Sequence, residues 1–96
     1  LPDPPALHEQ REVILEHFRL AEEIYGVDRC AVHMRKFGIK YAALHPHWRD
    51  VRSTFTKVRD RRDWQAVLDR WYGENVPGQH PPREVHVSKS NCVEAA

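Results

Sequence analysis

The sequence predicts an all-α fold: a compact four-helix bundle followed by a disordered C-terminal tail. Apolar residues recur at helical spacing through four consecutive stretches between residues 8 and 72. The links between these stretches are short, which favours antiparallel neighbours. No strand-like alternation competes before residue 84.

Helix one is predicted over 8–25, where Ile14, Phe18, Ala21 and Tyr25 mark a stripe that Val13, Leu20 and Ile24 widen. Glu9 and Glu12 favour the positive helix start, and Gly26 is a natural terminator. Helix two is predicted over 28–44 with Asp28 as its cap; Cys30, Met34, Phe37, Tyr41 and Leu44 repeat at steps of four, three, four and three. Gly38 inside it costs about 1 kcal/mol against alanine, which points to close packing on a neighbouring helix. Pro46 closes the segment. Helix three, over 47–58, carries Trp48, Val51, Phe55 and Val58; helix four, over 61–72, is capped by Asp60 and carries Trp64, Val67, Leu68 and Trp71. The expected centre holds all three tryptophans.

Ninety-six residues suit one small domain. Residues 1–7 read as an interdomain linker because of the run Leu1-Pro2-Asp3-Pro4-Pro5, residues 8–72 as the helical domain, and residues 73–96 as a polar, disordered tail. Within that tail Val85-His86-Val87 could form a short strand on a partner. The chain reads as a fragment of a longer protein, with no room for a catalytic domain beside the bundle. No apolar run approaches the roughly 18 residues of a membrane span, and no signal-like segment opens the chain. Cys30 and Cys92 do not make a disulfide framework, so reduced thiols in a soluble, cytoplasmic protein are expected.

The net charge of +1 conceals a division. Residues 1–28 carry two cations against seven anions, residues 29–62 ten against two, and residues 63–96 three against five. On helix two Arg29, Lys36 and Lys40 form a ridge at intervals of seven and four, with Arg35 at the edge of the apolar stripe. Helix three adds Arg49 and Arg52, and Lys57, Arg59, Arg61 and Arg62 crowd the junction that follows. The plain alternative is a solvated face paired with the glutamates of helix one. Crowding of ten like charges favours a phosphate ligand over that alternative.

Other chemistry finds little support in the residues. No serine is tied to a histidine–carboxylate pair, and the four glycines are scattered singly, which excludes a phosphate-cradling loop. Cys30 with His33, and His45 with His47, only suggest a metal; a packed cysteine and surface histidines explain them, and no metal is expected. His17 reads as a packing or hydrogen-bonding residue. Trp48, Phe55, Trp64 and Trp71 read as core because of their helical spacing, with base stacking as the alternative.

Pro4-Pro5-Ala6-Leu7 with Glu9, then His17, then Tyr25-Gly26, then Met34-Arg35-Lys36 followed by Tyr41, resemble the signature order of the C-terminal helical domain of bacterial-type tRNA-dihydrouridine synthases. The resemblance covers residues 4 to 72. Phe37 stands where many members carry histidine and Lys40 where many carry tryptophan, so the chain looks like a divergent branch. The resemblance implies that Arg35 and Lys36 face tRNA. It also implies a parent enzyme that reduces uridine to 5,6-dihydrouridine with FMN and NADPH in a TIM barrel missing from this chain. On that basis the expected partners are tRNA and the barrel of the same polypeptide. The expected contacts are Arg29, Arg35, Lys36, Lys40, Arg49, Arg52, Lys57 and Arg59, with no catalytic residue in this chain. The alternatives are a helical protein-interaction module with a basic face, and a helix-turn-helix DNA binder. The second is disfavoured because the ridge lacks Asn or Gln for reading bases.

Overall fold

The computed structural model describes residues 2–82. They form five helices: α1 (Leu7–Tyr25), α2 (Val27–His33), α3 (Arg35–Ala42), α4 (Trp48–Phe55) and α5 (Arg61–Trp71). The fold is all-helical, and α1 packs on α2, α3 on α4, and α5 against both α2 and α4. The core joins Ile14, Phe18 and Ala21 of α1 to Cys30, Met34, Val51, Phe55, Val58, Trp64, Leu68 and Tyr72.

The single helix expected over 28–44 is two helices, broken at Met34. Met34 takes φ −77° and ψ −10°, a 3₁₀-like tightening that lets the chain change direction. In an unbroken helix the Ala31 carbonyl would accept the Arg35 N–H. Here it accepts the indole Nε1–H of Trp64 at 3.0 Å. The break therefore supplies a buried acceptor to a buried donor. The helix also starts one residue before the expected cap, with Asp28 in its first turn.

Other junctions follow local rules. Gly26 adopts φ +88°, which a side chain would resist, and its N–H closes α1 on the Glu22 carbonyl. Asp60 caps α5 by accepting the Asp63 N–H at 2.9 Å, and Asp63 accepts the Arg59 N–H at 2.9 Å. Gly38 lies where α3 meets the aromatic rings: an added Cβ would stand 2.7 Å from Phe55 and 2.9 Å from Trp64.

Residues 73–82, expected to belong to the tail, lie along the bundle. The Val76 carbonyl accepts the Leu7 N–H at 2.9 Å, and the Asn75 side chain accepts the His8 N–H at 3.1 Å. Ala6 provides no side-chain cap, so this strap satisfies two donors at the start of α1. Further on, the Gln79 N–H donates to the Leu44 carbonyl at 2.8 Å, while Gly78 passes so close to Pro5 and Gln10 that any Cβ would collide. Backbone pairing holds this polar segment where apolar burial could not. The expectations for 83–96, including Cys92 and the Val85–Val87 alternation, lie outside the described residues.

Burial differs from expectation at several aromatic and apolar positions. Trp64 is buried, but Trp48 and Trp71 are only half-buried at the edge of the bundle. Val13, Leu20 and Ile24 are exposed, as is Tyr25, because among the described residues no neighbouring helix covers that side of α1. His45, expected at the surface, is 2% exposed. Its Nδ1 accepts the His47 N–H at 2.9 Å and its Nε2 lies 2.6 Å from the Trp71 carbonyl, so the neutral ring is protonated on Nε2. Burial is the main influence pushing its pKa down, opposed by the bond to Trp71.

Two consequences are measurable. Gly38→Ala places a methyl group against Phe55 and Trp64, and the clash outweighs the helix-propensity gain of about 1 kcal/mol, with a net loss of about 1–2 kcal/mol in urea denaturation. An unchanged or raised midpoint would show that the rings yield freely. Since the folded pKa of His45 lies below its unfolded value near 6.5, its contribution is complete above that value and is lost as pH falls toward the folded pKa. Stability should therefore fall as pH drops below about 6.5, and His45→Asn should flatten that slope while lowering stability throughout.

Candidate nucleic-acid interface

The break at Met34 puts Arg29 on α2 and Arg35, Lys36 and Lys40 on α3, and the expected contact residues fall into separate groups. Arg29 is exposed on α2, and among the described residues its guanidinium has no hydrogen-bonding or ionic partner. Lys36 and Lys40 flank the ring of Phe37 on α3, with Nζ 5.1 Å and 5.8 Å from its centroid. Phe37 in turn lies 4.6 Å from the His17 ring of α1. This pair of lysines therefore sits toward α1.

Arg35 points the other way. Its Nε donates to the Val58 carbonyl at 2.7 Å, tying α3 to the link between α4 and α5. It lines a groove of about 640 Å³ with Lys57 and Arg59, over Val58 and Val67, and Asp63 is the carboxylate at its edge. That carboxylate is engaged by the Arg59 backbone at 2.9 Å and its Nε at 3.5 Å. Three expected contacts, one from α3 and two from the α4–α5 link, thus line one depression.

Arg49 and Arg52 make the third group, each with its guanidinium carbon 5.0 Å from the centroid of Trp48. Cations held against an indole face keep their charge while losing some side-chain freedom. Arg70 stands similarly over Trp71 at 4.9 Å. The sequence pattern missed Arg70 because the count of cations falls sharply after residue 62. Arg61 is drawn elsewhere, to Glu22 of α1 at 3.1 Å. It is one of the pairings that a purely solvated face would make.

Several nearby polar groups are structural. The Tyr41 hydroxyl lies 2.6 Å from His17 Nδ1 in a hydrogen bond, and burial raises the pKa of this phenol. The Cys30 thiol is buried against the Phe18 carbonyl at 3.5 Å, and burial raises its pKa away from the reactive thiolate. Among the described residues no group of three or more His, Cys, Asp or Glu side chains is placed to hold a metal ion. In the same residues no helix is long and apolar enough to cross a membrane. No family model, curated protein or solved structure matches the chain.

The geometry separates Arg35 from its neighbour Lys36. Arg35→Ala removes the partner of the Val58 carbonyl and should cost about 1–2 kcal/mol in a thermal or chemical melt. Lys36→Ala should stay within about 0.5 kcal/mol of the parent. Equal losses at the two positions would contradict the anchoring role of Arg35.

Proposed function

We propose that this chain is an RNA-docking helical domain that holds tRNA by its phosphates, as the sequence resemblance to tRNA-dihydrouridine synthases implies. The observation that carries this reading is the convergence of Arg35, Lys57 and Arg59 on one groove, with its single edge carboxylate already engaged. Isolated surface cations are ordinary; Arg35 of α3 brought beside Lys57 and Arg59 of the α4–α5 link over an apolar floor favours an anionic ligand. Lys36 with Lys40, and Arg49 with Arg52, add two further cationic clusters outside the groove. Recognition by backbone and shape suits A-form RNA, whose base edges lie in a deep, narrow groove.

In this reading the reduction of uridine is performed by a flavin-carrying barrel of the same cytoplasmic polypeptide, using FMN and NADPH. The helical domain contributes position, not chemistry. Its buried cysteine and its histidine–tyrosine pair are engaged in packing and hydrogen bonding within the bundle.

Titration with tRNA at several salt concentrations tests the proposal. With four to six phosphates neutralised, the logarithm of affinity should fall against the logarithm of salt with a slope of about −3 to −5. Lys57→Glu, chosen because its side chain is exposed, should weaken all tRNAs alike and flatten the slope by about one unit. Lys36→Glu and Lys40→Glu should act in the same direction. Affinity and slope unchanged in folded variants, or preference for an acidic protein over tRNA, would overturn the RNA assignment.

A further inference from the structure

Helix α1 carries an apolar stripe whose own residues the RNA reading leaves unused. At about 100° per residue, Val13, His17, Leu20 and Ile24 fall on one stripe. Val13 is 55% exposed, Leu20 42% and Ile24 74%, and Val27 continues the surface beyond Gly26 at 65%. Among the described residues nothing covers them. Large apolar side chains aligned in this way are a contact surface more than scattered exposure.

Charge flanks this stripe unequally. Glu9, Glu12, Glu16 and Glu23 run along one side of it, against the single cation Arg19, which bridges Glu16 at 2.7 Å and Glu23 at 3.0 Å. The Arg19 hydrogen bond keeps the Glu16 carboxyl below the usual carboxylate range. On the other side His17 touches Phe37, and around Phe37 stand the ammonium groups of Lys36 and Lys40. An apolar strip thus separates an acidic edge from a basic edge.

We infer that the α1 stripe is the self-association surface of a homodimer in which two α1 helices lie side by side and parallel. A surface with opposite charges on its two edges is complementary to itself about a twofold axis running along the helix. That operation places each acidic edge against the other copy's Lys36 and Lys40. A twofold axis across the helix would set acidic edge on acidic edge, which electrostatics disfavours. At a rise of 1.5 Å, the 19 residues of α1 span about 28 Å. One helix width over that length falls below the roughly 800 Å² per partner of a stable interface, so the association is weak and concentration-dependent. Lys36 and Lys40 are shared with the surface proposed for RNA, so dimer and RNA compete for them, and association is therefore tested without RNA.

Sedimentation equilibrium of the whole chain without RNA, from about 10 µM to about 1 mM, is the test. The weight-average mass should rise from 11.3 kDa toward twice that value. Leu20→Glu with Ile24→Lys should keep the chain monomeric over the same range. Reversing one edge, Glu12→Lys with Glu16→Lys, should weaken the dimer about tenfold or more, and adding Lys36→Glu with Lys40→Glu should restore it. All these side chains are exposed, and circular dichroism checks that each variant folds. A mass that stays monomeric throughout, a dimer indifferent to the Leu20 and Ile24 changes, or a failure of the double reversal to restore association would overturn the inference.

Discussion

Trp64 is the point on which all five helices meet. Its ring lies 5.4 Å from Phe18 of α1 and 4.9 Å from Phe55 of α4, and it rests against Gly38 of α3. From α5 its indole N–H reaches the Ala31 carbonyl of α2. A buried indole must satisfy its donor as well as bury its rings. That requirement explains why the chain breaks at Met34 and why glycine occupies position 38. Without the break, the Ala31 carbonyl would be taken by the helix ladder; with a larger residue at 38, α3 could not approach the ring.

The same break places Arg29 on a different helix from Arg35, Lys36 and Lys40. A continuous helix would line up Arg29, Lys36 and Lys40, with Arg35 beside them. On α3 itself successive side chains lie about 100° apart, so Lys36 and Lys40 sit toward α1 and Arg35 toward the α4–α5 link. Arg35 consequently serves two ends: its Nε is committed to the Val58 carbonyl, while its guanidinium lines the groove with Lys57 and Arg59. An anchored cation loses little conformational freedom on meeting an anion, which suits a docking site built from few residues.

Helix α1 is organised by its surroundings on three sides. One arc supplies Ile14, Phe18 and Ala21 to the core. Its first turn is completed by Asn75 and Val76 from the strap, since Ala6 has no side chain to cap it. A third arc leaves Val13, Leu20 and Ile24 uncovered between edges of opposite charge. The distribution of basic groups toward α3 to α5, and of acidic groups along α1, lets one small bundle present separate chemistry in separate directions.

Local sequence determined where helices form and how several end. The periodicity from 8 to 25, the left-handed glycine at 26, the Asp60 cap and the tight packing of Gly38 all depend on residues close in sequence or on one residue's geometry. Tertiary structure decided the rest. The acceptor of Trp64 lies 33 residues away, so the break at Met34 leaves no local trace. Helical spacing identifies an apolar face but not how much of it a neighbour covers, which is why Val13, Leu20 and Ile24 remain exposed and Trp48 and Trp71 lie at the edge. His45 became a buried histidine because its two ring nitrogens find backbone partners at His47 and Trp71. The polar residues after Tyr72 gained order through backbone hydrogen bonds to the start of α1 and the end of α3, contacts that composition cannot reveal.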